Sequence, residues 1–133
     1  MLNNNSAITN VWNTVIGSTG TLTIYTGSAP ATCASGTTGT LLATISLSTP
    51  SSSTKPFGQA SSGAIVLDGL TLSATAGAGS AATPGYFRIN DSGATCHVQG
   101  TCAIGSGDLN FNGTITSGQT VSITGFTITA PGA

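Results

Sequence analysis

Residues 85–93 read Gly-Tyr-Phe-Arg-Ile-Asn-Asp-Ser-Gly. Phe87 and Ile89 alternate with Tyr86 and Arg88, the two-residue period of a strand that turns one face to a core. Asn90-Asp91-Ser92-Gly93 follows. These residues stop strands, because short polar side chains bond the local backbone and glycine accepts unusual φ. A short strand closed by a turn is the unit from which the rest of the chain can be read.

The same unit recurs on both sides. Upstream, 21–27 (TLTIYTG) carries Leu22 and Ile24 on one face and Tyr25 on the other. In 41–47 (LLATISL), Leu41, Ala43, Ile45 and Leu47 share a face, and 64–69 (AIVLDG) and 70–76 (LTLSATA) follow. Downstream, 119–129 (QTVSITGFTIT) shows Val121 and Ile123, then Phe126 and Ile128. The parity changes across Gly125, which predicts a β-bulge there. Gly-, Ser- and Pro-rich turns separate these runs. Asn112-Gly113 and Ser117-Gly118 compete for one turn. The expected fold is all-β: a β-sandwich or jelly roll of seven or eight short strands.

Helical spacing occurs once, at Ile8, Val11, Trp12, Val15 and Ile16, and Gly17 ends it. A helix this short needs packing to be stable. The chain of 133 residues suits one domain. Residues 1–17 would form an N-terminal arm and helix, and 49–63 a flexible Ser/Pro-rich loop.

Charge is nearly absent. Only 4% of residues are charged, against about 25% in an ordinary soluble domain. The acids are Asp68, Asp91 and Asp108, and the bases are Lys55 and Arg88. Two separate cations cannot hold several phosphates, so no nucleic-acid partner is expected. Nor is a polybasic membrane surface. The N-terminus lacks the basic and apolar regions of a secretory signal, and no apolar run is long enough to span a bilayer. With a net charge of -1, self-repulsion is weak and association is easy.

Residues 96–102 (CHVQGTC) hold two of the three cysteines and the only histidine. If Gln99-Gly100-Thr101 is a hairpin loop, Cys96 and Cys102 share a face and His97 lies on the other. Metal ligands must converge, so no metal site is expected. The cysteines are then either two buried thiols or a Cys96–Cys102 disulfide, with Cys33 unpaired. No catalytic residue is expected. The chain has no G-x-S-x-G elbow, and Asp91 and Asp108 sit in turns where Asp serves its own backbone. The stretch 77–82 (GAGSAA) matches a dinucleotide pattern, but Thr83-Pro84-Gly85 would break the helix that pattern needs. No cofactor is expected. Arg88 beside Tyr86 reads either as a structural pair with an Asp or as an interface anchor. Trp12, Tyr25, Lys55, Phe57, Tyr86 and Arg88 are the side chains expected at an interface.

The order of segments resembles a group of small virion proteins of tailed bacteriophages, the head decoration or cement proteins. The stretches that carry the resemblance are LLATISL (41–47), GYFRINDSG (85–93), QGTCAIGSGDLNFN (99–112) and VSITGFTIT (121–129). It runs from the helix to Pro131 and concerns fold and turns, not chemistry. It implies a jelly-roll-like sandwich on the capsid exterior, with the major capsid protein and further copies of itself (a dimer or trimer) as partners, and no enzymatic activity. In such proteins the places of Cys96 and Cys102 look apolar, often valine, which favours buried thiols. Cys33 and the insert STPSSSTKPFG (48–58) depart from the pattern. A tail- or fibre-associated protein, or a carbohydrate-binding module, is the alternative.

Overall fold

The computed structural model describes residues 12–17, 19–47, 61–66, 72–77 and 81–129. The fold is all-β, with nine strands among the described residues. They are β1 (Thr21–Tyr25), β2 (Leu41–Ser46), β3 (Ala64–Val66), β4 (Leu72–Thr75), β5 (Tyr86–Asn90), β6 (Cys96–Ile104), β7 (Leu109–Phe111), β8 (Thr120–Ile123) and β9 (Thr127–Thr129). Five of them form one sheet in the order β2-β1-β5-β6-β7, while β3 pairs with β9 and β4 with β8. A single apolar cluster runs through the described parts. It includes Leu22, Ile24, Ile45, Phe87, Ile89, Ile115, Val121, Ile123 and Phe126.

Residues 12–16 are helical, and Gly17, at φ 69°, donates to Asn13 O to end the helix. Ile16 is fully buried and Trp12 packs against the cluster, as the spacing predicts. Val15 departs from the expected stripe and is 38% exposed. Ile8 and Val11 lie outside the described residues, as does most of the 49–63 loop.

Three expectations about strand register are corrected. In β2, Ile24 pairs with Ala43 but Tyr25 pairs with Leu41, so Leu42 is an extra residue in a bulge. The bulge turns Leu42 inward beside Ala43 and leaves Leu41 45% exposed. Alternation alone cannot show such a slip.

The parity change at Gly125 is a change of sheet rather than a bulge. β8 ends its pairing with β4 at Ile123, and β9 begins pairing with β3 at Thr127. Between them Phe126 turns into the core and meets Phe87 edge-on, with ring centroids 5.3 Å apart.

Residues 96–102 are continuous strand, not a hairpin. Gly100 pairs with Phe87, and a Cβ at Gly100 would lie 2.6 Å from the Phe87 ring. The glycine makes room for a ring instead of making a turn. The real reversal lies at 91–95, and His97 is the bulged residue, since Ile89 pairs with Val98 and Asn90 with Cys96. At the far end of β6 the chain doubles back through Gly105 and Gly107, both at positive φ, and β7 then runs parallel to β6. Of the two competing turns, Ser117-Gly118 makes the one that leads into β8, with Gly118 at φ 80°.

Candidate functional site

Alternation gives the five-stranded sheet two faces with different contents. The inner face carries Leu22, Ile24, Phe87 and Ile89. Thr23, Tyr25, Tyr86, Arg88, Asn90 and Gln99 point to the other face. An outer face of a sheet usually meets water. Here the segment 26–40 crosses it, and Tyr86, Arg88 and Asn90 are 0%, 4% and 8% exposed.

The covering segment is held by polar contacts. Tyr86 Oη donates to Thr38 O at 2.6 Å and accepts from Thr38 N at 2.9 Å. The Arg88 guanidinium donates through one nitrogen to Ser35 O at 2.9 Å and Thr32 O at 3.3 Å. Gln99 Nε2, from the residue directly opposite Arg88, donates to Pro30 O at 2.7 Å. Tyr25 stacks on Tyr86 with centroids 5.0 Å apart and planes 11° from parallel. Beneath them Asn90 Nδ2 donates to Thr23 Oγ1 at 3.2 Å. Arg88 therefore pairs with neither Asp91 nor Asp108. It neutralises the partial charges of loop carbonyls.

One covalent bond joins the segment to the sheet. Cys33 is disulfide-bonded to Cys96, with the Cα atoms 5.3 Å apart. This corrects both cysteine expectations: Cys33 is not unpaired, and Cys96 is bonded to it rather than to Cys102. Cys96 and Cys102 do not share a face as a hairpin would require. The bulge at His97 places Cys96 opposite Asn90 on the covered face, and Cys102 stays in the core, 4% exposed. Burial, then the nearby Asp108 charge, pushes the Cys102 thiol up to about 12. Of the two buried thiols expected in 96–102 only Cys102 is one, since Cys96 is half-buried and disulfide-bonded.

The two described acids act locally. Asp91 Oδ1 accepts from Gly93 N at 2.8 Å and Thr95 N at 2.9 Å, and its Oδ2 meets His97 Nε2 at 2.9 Å. The His97 hydrogen bond, followed by the Thr95 amide, holds the Asp91 carboxyl below its ordinary value. Asp108 Oδ2 accepts from Thr101 N and Oγ1, both at 2.8 Å, and these bonds lower that carboxyl too. The backbone amides that anchor them, Thr95 for Asp91 and Thr101 for Asp108, lie six residues apart, or roughly 20 Å of nearly extended chain. Paired glycosidase carboxylates stand within about 9.5 Å, so these two do not form such a pair. No group of three or more His, Cys, Asp or Glu side chains among the described residues could hold a metal ion. In the dinucleotide-like stretch, Ala82 forms a strand bridge with Ile115, where the pattern would need a helix.

Of the expected interface side chains, Tyr86 and Arg88 lie under the covering segment and do not face a partner in this conformation. Tyr25 is half-buried against Tyr86, and Trp12 is half-buried against the core. Lys55 and Phe57 lie outside the described residues. An open groove of about 460 Å³ lies between β7 and β8, lined in part by Asn110, Phe111, Asn112, Gln119, Thr120 and Ser122. No residue lining it is charged. The covering segment and its staple leave little trace in the sequence. The signal was a cysteine and a proline within an otherwise featureless Gly/Ala/Thr loop, read as an unpaired thiol. No protein-family model, curated protein or solved structure matches the chain.

Proposed function

We propose that this chain is a structural virion protein of a tailed bacteriophage, a capsid decoration or cement protein with a jelly-roll-like sandwich fold. It binds the outer surface of the mature head and bridges subunits of the major capsid protein. It works as a homo-oligomer, with no enzymatic activity, no cofactor, and no nucleic-acid or membrane partner. The observation that carries this reading is the near absence of charge, 4% of residues, on a β domain whose two described acids serve its own turns. Such a surface associates through shape and hydroxyl or amide hydrogen bonds, with little dependence on salt. The resemblance of 41–47, 85–93, 99–112 and 121–129 to head decoration proteins points the same way.

The physical role follows from mass action. A protein that binds only the expanded lattice stabilises it, and many weak copies on a repeating surface add up. The test is deletion of the gene, followed by heat and chelator shock of the heads. Heads lacking the protein should fail under milder conditions than complete ones. Equal resistance would overturn the stabilising role.

One observation favours the second reading, a tail- or fibre-associated protein or carbohydrate-binding module. The β7–β8 groove offers amides, hydroxyls and the edge of one aromatic ring without charge, a composition suited to neutral sugars. A glycan array distinguishes the two readings. Binding there, lost on Phe111→Ala, would favour adhesion, and silence would favour the cement role.

A further inference from the structure

We infer that the Cys33–Cys96 disulfide is a redox latch. Closed, it straps residues 26–40 across the outer face of the five-stranded sheet. Opened, it releases that strap while the sheet stays folded. The inference concerns the isolated chain and stands apart from the virion reading.

The strap carries no part of the core. None of its residues belongs to the buried apolar cluster. Its grip on the sheet is polar: Tyr86 to Thr38, Arg88 to Thr32 and Ser35, Gln99 to Pro30. Each such bond replaces a bond to water, so the neutral ones contribute little net and only the charge-assisted pair from Arg88 contributes more. Ordering a Gly-, Ser- and Thr-rich segment has a large entropic cost. The disulfide shifts that balance by removing freedom from the open state.

The sheet pairs and packs without the strap. The strap leaves the sheet after β1 and returns at β2, and those strands pair along Thr21–Tyr25 without it. β1 also pairs with β5, and β5 with β6. Leu22, Ile24, Phe87 and Ile89 hold the opposite face. Releasing 26–40 breaks none of these contacts.

The three cysteines differ in access. Cys33 and Cys96 are both partly exposed, whereas Cys102 is 4% exposed on the other side of the sheet. The third thiol therefore cannot capture either partner without unfolding. A dithiol reductant attacks one sulfur of the bond through its thiolate, giving a mixed disulfide. Its second thiol then closes on the first. The reductant leaves as a disulfide, and Cys33 and Cys96 each end as a thiol carrying one hydrogen. Closure is the reverse, with a disulfide oxidant such as oxidised glutathione accepting the two electrons.

Opening changes what the surface presents. The closed face shows the small uncharged residues of the strap. The open face uncovers Arg88, the one Lys or Arg among the described residues, flanked by the Tyr25–Tyr86 stack and Gln99. The latch selects between a neutral surface and a cationic, aromatic one.

The test is hydrogen exchange read by mass spectrometry on the full-length protein, oxidised and after dithiothreitol treatment, with iodoacetamide labelling in parallel. Peptides covering 26–40 should exchange at least tenfold faster after reduction, while β1, β5 and β6 keep their protection. The folded reduced protein should take two labels, and a third only in denaturant. Cys33→Ser should show the same exchange as the reduced protein and take one label when folded. Unchanged exchange of 26–40 would show that hydrogen bonds alone hold the strap. Loss of protection throughout the sheet would make the bond a global staple. A bond that dithiothreitol leaves closed in the folded protein would not be a latch. Any of these three results overturns the inference. Should Cys33→Ser fail to fold, reduction of the unmodified protein still decides.

Discussion

Phe87 lies across Gly100 on the neighbouring strand, so close that a single added methyl would stand 2.6 Å from its ring. The same ring meets Phe126 edge-on from the segment that joins β8 to β9. Gly100 thus lets an aromatic side chain tie the five-stranded sheet to the later strands. Gly100→Ala should therefore cost about 1–3 kcal/mol through overpacking. Urea denaturation should show a lower midpoint with an unchanged slope. A midpoint equal to that of the unmodified protein would mean that the ring moves aside freely.

Arg88 is buried without a carboxylate partner and serves the carbonyls of Thr32 and Ser35. Arg88→Met keeps an unbranched flexible stem, shorter than that of arginine, and removes the donor. The change should destabilise by about 1–3 kcal/mol, because two carbonyls lose a charge-assisted bond. Exchange of 26–40 should rise even with the disulfide closed. A change below about 0.5 kcal/mol would place Arg88 outside the forces that hold the strap.

Asp91 and Asp108 both have carboxyls held below their ordinary value of 3.8 by hydrogen bonds from the folded chain. A depressed folded value means that the contribution to stability is complete above 3.8 and is lost as pH falls through the lower folded value. Stability should therefore be level towards neutral pH, as far as these groups decide it, and decline below about pH 4. Asp108→Asn should flatten part of that decline, which midpoint denaturation at a series of pH values reads directly. An acid limb of the same slope in that variant would remove Asp108 from the account.

Cys102 sits in the apolar cluster with its thiol pushed up to about 12. At pH 8 it should resist alkylation in the folded protein and react at an ordinary rate in denaturant. Cys102→Val should cost less than about 1.5 kcal/mol, since it exchanges one small apolar group for another. Rapid labelling without denaturant would contradict the burial.

The all-β class was legible because alternation is a local property, and 21–25, 86–90 and 120–123 carry it plainly. Register was less so. Leu42 and His97 are bulged residues, and a bulge depends on the partner strand, which no single stretch reveals. Gly100 misled because glycine marks both turns and places where a neighbour comes close. Gly125 misled because a parity change marks either an extra residue or a move to another sheet. The covered face was hidden for a related reason. Tyr86, Arg88 and Asn90 look like an exposed polar edge until a loop far along the chain lies over them. The Cys33–Cys96 bond spans 63 residues, a separation that sequence spacing cannot predict. The local role of Asp91 was legible, because Asp in a turn bonds its own backbone, whereas Asp108 reaches back seven residues to Thr101 on β6.

The most direct test of the proposed cement role is the copy number of this protein in purified virions, by quantitative mass spectrometry against the major capsid protein. The account predicts hundreds of copies, in a fixed ratio to the capsid subunits. A handful of copies would place the protein on the tail or at a vertex, and absence from the virion would contradict the account altogether.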